Sequence, residues 1–156
     1  MVKLTGGCTC GRIRYRMLER PLFTHCCHCS WCQRETGSAF VLNALIETDL
    51  LQVEGEAKKT LTPSASGKGQ RIIRCPDCRV ALYSHYAGAG ARFAFLRVGT
   101  LDDPSSCPPD VHIFTLTKLP WLQLPEDVPV MTEYYDREVL WSATSLARRN
   151  AALARE

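Results

Sequence analysis

The sequence of 156 residues contains no run of about 18 consecutive apolar residues. Its most hydrophobic stretches, AFVLNALI and ARFAFLRV, are strand-length and broken by polar side chains, so no membrane span is expected. Also missing is a secretory leader: MVKLTGGCTCGRIRY has no apolar core of roughly 7 to 15 residues and no small-residue cleavage site behind one, which points to a cytoplasmic protein. There is no G-x-G-x-x-G or P-loop stretch, no heptad pattern and no internal repeat. A strong charge of one sign is lacking too, since 19 Lys and Arg against 16 Asp and Glu leave +3. The basic residues pair only at Lys58 and Lys59 and at Arg148 and Arg149, too diffuse for a stripe that tracks phosphates. With no array of stacking aromatics either, nucleic acid is not an expected partner, whereas a small anionic ligand fits the charge.

What is present is β-rich sequence and sulfur. IRYRM alternates, FVLNALI, LQVEG and RFAFLRV are rich in strand formers, RIIR leads into a cysteine pair, and VHIFTLT is dense in β-branched residues. An all-β domain follows. TPSASGKGQ (62–70) and the proline-rich DDPSSCPPD (102–110) read as surface turns. The tail REVLWSATSLARRNAALARE lacks Pro and Gly and carries Leu140, Ala143, Ala147, Ala151 and Ala154 at helical spacing. It predicts a C-terminal α-helix that docks on the domain or on a second subunit as a homodimer contact.

Nine cysteines without an export signal imply a reducing compartment, where clustered thiols serve as metal ligands more often than as disulfides. Cys8 and Cys10, one residue apart in GGCTCG, project to one side of an extended backbone and can grip one metal. Cys75 and Cys78 in RCPDC have the spacing of a zinc knuckle, and the four sulfurs together would close a structural tetrahedral site. In CCHCSWC, the sulfurs of Cys27, Cys29 and Cys32 can supply three ligands to a second metal and leave its fourth position open, as in a catalytic zinc. Spacing alone does not force this partition. Cys29 and Cys32 could instead join Cys75 and Cys78 as one zinc ribbon, and Cys26 could replace Cys27.

In order, GGCTCGRIRY, CHCSWCQRETGSAF, GKGQRIIRCPDC, VGTLDD and HIFTLTKLPW resemble the glutathione-dependent formaldehyde-activating family, which includes the centromere protein V type domains. The resemblance covers residues 5 to 125 or so, which sets an expected zinc-binding domain at 1–125 with a helical extension of the same domain at 126–156. It implies a small antiparallel β domain, the β-tent, with two zinc ions: a structural one on Cys8, Cys10, Cys75 and Cys78 and a catalytic one on Cys27, Cys29 and Cys32. The implied reaction is carbon–sulfur lyase chemistry, in which glutathione adds to formaldehyde to give S-hydroxymethylglutathione. The alternative is a non-catalytic zinc module that binds a protein partner.

Arg34, Lys68 and Arg71 are candidates to meet the carboxylates of glutathione. His28 alternates away from the proposed ligands and reads as a packing histidine, and His25 has a weaker claim still to a role. Gly37 and Ser38 allow close backbone approach or form a plain turn. Trp31, Trp121 and His112 read as core or strand residues, and Cys107 as an unliganded thiol. Arg79, directly after the second knuckle, stands where the family usually has Gly, which would place a side chain in a left-handed turn at a cost of about 1 kcal/mol. Cys26, beside the open site, is a spare thiol.

Overall fold

A computed structural model describes residues 4–155. Along the chain run β1 (Leu4–Gly7), β2 (Arg14–Met17), β3 (Phe23–Cys27), α1 (Ser30–Thr36), β4 (Val41–Glu47), β5 (Leu51–Glu54), β6 (Lys58–Thr62), β7 (Gln70–Arg74), β8 (Ala81–Tyr86), β9 (Phe93–Arg97), β10 (Val111–Ile113), α2 (Arg137–Leu140) and α3 (Ala143–Ala154). The fold is mostly β-sheet with a C-terminal helix. One sheet has the order β1-β2-β5, and the larger one β10-β3-β4-β9-β8-β7-β6. All pairings are antiparallel except that of β10 with β3, which is parallel and so departs from the expected antiparallel domain. The parallel register is reached because the chain makes a long excursion through six strands before β10 returns to the edge beside β3.

The central strand β4, VLNALIE, shows no alternation of polarity because both its faces are covered. Ala44 and Ile46 face a core that also holds Ile13, Met17, Leu82, Leu96 and Val98. Val41 and Leu45 face a second core with Phe23, Phe93, Val111 and Trp141. The larger sheet therefore separates two apolar layers, and a residue's parity on β3 or β4 decides which layer it enters.

Three local readings of the sequence are corrected. The strand in VHIFTLT stops at Ile113, because Phe114 turns left-handed (φ 54°) and a 3₁₀ turn follows over Thr115–Thr117. The tail forms two helices, because Ser142 caps α3 by accepting from Ser145 N (3.1 Å) while Trp141 between them is buried and stacks on Phe23. The expected alanine stripe is not the buried face: Ala143, Ala147, Ala151 and Ala154 are exposed, and Ala152 is buried. What orients α3 is polar. Arg148 grips the buried carboxylate of Glu47 with Nε to Oε1 (3.0 Å) and Nη2 to Oε2 (2.6 Å), and Ser145 Oγ donates to the carbonyl of Leu22 (2.8 Å). The helix thus docks on its own domain. Among the described residues, no helix is long and apolar enough to cross a membrane.

The turn at 102–110 is not wholly on the surface either, since Cys107 is buried in the first core.

Candidate metal centres and active site

Cys8 and Cys10 lie in the connection between β1 and β2, not on a strand, so their sulfurs converge through a turn and not by alternation. Cys8 N donates to Ile13 O (3.0 Å), Gly11 N to Cys8 O (3.0 Å), and Ile13 N to the sulfur of Cys8 (3.2 Å). Cys75 and Cys78 occupy the turn after β7, where Cys75 N donates to Val80 O (3.0 Å) and Arg79 N to Cys75 O (3.2 Å). Arg79 has φ 65°, the strained left-handed conformation expected for it. Sulfur separations of 3.5 Å (Cys8 to Cys10) and 3.6 Å (Cys10 to Cys75) rule out disulfides and lie near the ~3.8 Å of a tetrahedron with metal–sulfur bonds of about 2.3 Å. All four sulfurs lie within 4.8 Å of one another. Cys78 is pulled down to about 6, chiefly by the N–H of Val80. Four soft donors suit a closed zinc site that ties the N-terminal turn to a turn far along the chain.

The second cluster is built differently. Cys27 ends β3, Cys29 caps α1 with its sulfur accepting from Cys32 N (3.4 Å), and Cys32 stands in the first turn of that helix. The helix was absent from the all-β reading of the sequence, and Gly37 closes it in a left-handed conformation (φ 65°) with open space around it, so its role is the turn. The three sulfurs also lie within 4.8 Å of one another. As free thiols they are driven apart: Cys29 is pushed far down by hydrogen bonds from Cys27 and Cys32, Cys27 is pushed up chiefly by Cys29, and Cys32 is pushed up by Cys27 and Cys29. A divalent cation is what would allow all three to ionise together.

These three sulfurs form one wall of a cavity of about 230 Å³. The same cavity is lined by Asn43 from β4, Gln70 from β7, Tyr86 from β8 and Phe95 from β9, with Ser64 and Ser66 from the loop at 62–70. That loop, expected to be a surface turn, buries Ser64 against the site. Asn43 Oδ1 accepts from Nη1 of the buried Arg97, and because a guanidinium only donates, the amide N–H pair is the end left for the cavity. Arg97 makes no ion pair among the described residues, and its second contact is Ser84 Oγ at 3.4 Å.

Several residues differ from their sequence readings. His25 lines the cavity, with Nε2 2.6 Å from the hydroxyl of Tyr135. That hydroxyl accepts from the indole of Trp141 (2.7 Å), so its own proton is available to His25. Burial holds His25 down at about 4, neutral at pH 7. Trp31 is 42% exposed at the cavity and Trp121 69% exposed, so neither is a core residue. His112 is a buried strand residue, as expected; it pairs with His28 (2.9 Å) on the face away from the three sulfurs, with Cys26 Sγ 3.5 Å from His28. Arg34 is exposed near the end of α1 and does not line the cavity. Lys68 and Arg71 line a separate hollow of about 160 Å³, which shares Gln70 and Tyr86 with the cavity. Tyr86, Phe95 and Tyr134 were not legible as site residues, since they are scattered strand and tail aromatics that only the sheet order and the returning tail bring to the sulfurs.

Residues 3–117 match the family described as glutathione-dependent formaldehyde-activating enzyme. The chain belongs to that family. Within it, a curated relative from Emericella nidulans named "Putative glutathione-dependent formaldehyde-activating enzyme" is 30% identical over 81 residues, 52% of this chain and 41% of the relative. The chain thus spans about two fifths of that relative's length. A solved structure of a Rhodobacter sphaeroides protein aligns with a TM-score of 0.49 at 19% identity, over 65% of this chain and 93% of that one. The family match covers both cysteine clusters and stops before α2 and α3.

Proposed function

We propose that this chain is a zinc-dependent carbon–sulfur lyase that adds a thiol to an aldehyde, with Cys27, Cys29 and Cys32 holding the catalytic zinc and Cys8, Cys10, Cys75 and Cys78 a structural one. The pair named by its family, glutathione and formaldehyde, is the starting substrate pair. The observation that carries this reading is that the three buried sulfurs of one cluster line a single cavity together, while the other cluster has a full set of four, of which Cys78 borders a separate hollow. Zinc in the three-cysteine site supplies positive charge that keeps a thiol deprotonated at neutral pH, where a free thiol of pKa about 8.5 is mostly protonated.

The chain's own residues do the rest. Cys27, Cys29 and Cys32 fix where the substrate sulfur must lie, on the cavity side of the cluster. The amide of Asn43, oriented by Arg97, offers an N–H to the carbonyl oxygen as charge builds there. A sulfur–carbon bond forms, the carbonyl π bond breaks, the thiol proton leaves to solvent, and the new hydroxyl takes one up; nothing is oxidised. The aromatic walls limit water near the reacting atoms.

The test is the rate of S-hydroxymethylglutathione formation, followed by NMR exchange with zinc-loaded chain, without protein, and with Cys29→Ser. Acceleration over the spontaneous rate that vanishes in Cys29→Ser is the expected result. A rate equal to background with folded, fully metallated protein removes this substrate pair.

A further inference from the structure

The cavity beside the three sulfurs is chemically unlike glutathione. Trp31, Tyr86, Phe95, Phe114 and Tyr134 give it rings on several sides, and no Lys, Arg, Asp or Glu is among its described lining residues. Its polar groups are hydroxyls, amides and the imidazole of His25, whose Nε2 is engaged with the Tyr135 hydroxyl at 2.6 Å. The Oε1 of Gln70, itself buried, has no hydrogen-bond partner, and a lone acceptor favours a donor such as a hydroxyl and disfavours a carboxylate. The buried cation nearby, Arg97, stands outside the lining and is engaged with Asn43 and Ser84. Lys68 and Arg71 face the neighbouring hollow.

Glutathione carries two carboxylates and an ammonium group, and placing such charges unpaired against apolar walls is strongly disfavoured by their lost hydration. The space of about 230 Å³ is also below the ~300–1,000 Å³ typical of pockets for drug-sized ligands. Resting on the catalytic reading of the three-cysteine site, we infer that the cavity selects a small uncharged thiol bearing an aromatic or similarly bulky apolar group, and its aldehyde adduct, in preference to glutathione. The ring of such a thiol packs on Phe95 and Tyr134, and the hydroxyl of its adduct is the kind of donor that Gln70 lacks. Two exposed aromatics in the lining, Trp31 (42%) and Tyr134 (44%), extend the apolar surface to the solvent side.

The experiment is calorimetric binding of 2-phenylethanethiol and of glutathione to the zinc-loaded full chain, with formaldehyde addition rates measured for each thiol in parallel. Binding of the aryl thiol about tenfold tighter or more is expected from burial of one ring. Ser66→Arg, an exposed substitution in the lining, puts a cation beside the cavity and is expected to narrow that preference. Glutathione binding as tightly as the aryl thiol, or no binding of the aryl thiol, overturns the inference. Preferential aryl thiol binding with neither thiol accelerated upholds the cavity's selectivity and removes the catalytic reading alone.

Discussion

The two cysteine clusters are built from the same donor and differ in everything around it. The four-sulfur cluster joins two turns that are 65 residues apart between Cys10 and Cys75, and lies against the core between the sheets. The three-sulfur cluster is local, six consecutive residues at the junction of β3 and α1, and lies in the other apolar layer, where a cavity reaches it. Sequence-distant ligands tie the fold together; sequence-local ligands are held by a fold that is already made. Metal chemistry alone does not separate the proposed structural site from the proposed catalytic one, so the proposal leans on the span of chain each cluster closes and on the cavity at the three sulfurs.

The largest effect expected from this contrast is that of Cys75→Ser. It should forfeit a large part of the roughly 10 kcal/mol that a structural zinc contributes to folding, and be seen as loss of the cooperative melt by circular dichroism. Cys29→Ser should instead leave that melt in place while zinc content falls by one equivalent. If both variants unfold alike, the division of labour is wrong. Next in size is Arg148→Ala, which leaves the buried carboxylate of Glu47 without its partner and unseats α3 from the cavity-bearing layer. It should cost about 3 kcal/mol in chemical denaturation, with Arg148→Lys recovering part of it. A smaller loss would show that the tail is dispensable to that layer. The smallest effect is a gain: Arg79→Gly relieves the left-handed backbone at the knuckle and should raise stability by about 1 kcal/mol without altering activity.

Much of this contrast was legible in the sequence, because spacing limits which sulfurs can meet and the family resemblance chooses among the groupings it leaves open. The grouping of Cys8, Cys10, Cys75 and Cys78 and of Cys27, Cys29 and Cys32 follows from spacing with the family resemblance, and the fold gathers each set within 4.8 Å. The strain at Arg79 was legible through the resemblance, because the family usually has Gly at that position. The cavity was not. Asn43 looks like a polar interruption of an apolar run until β4 is known to be central, and Phe95 and Tyr86 meet the sulfurs only through the sheet order. The charged residues nearest the motifs, Arg34, Lys68 and Arg71, drew attention because charge is conspicuous in sequence, yet the side chains around the sulfurs are aromatic and amide. Tail orientation was misread because alanine periodicity is weak evidence beside a single buried carboxylate such as Glu47.

The most direct test of the division of labour is stepwise zinc removal from the native chain with a chromogenic chelator, with released metal, far-ultraviolet circular dichroism and thiol-addition rate followed together. The account predicts that the first equivalent leaves with the catalytic rate while the fold persists, and that unfolding accompanies the second. Loss of the folded signal with the first equivalent, or full activity after its release, would contradict it.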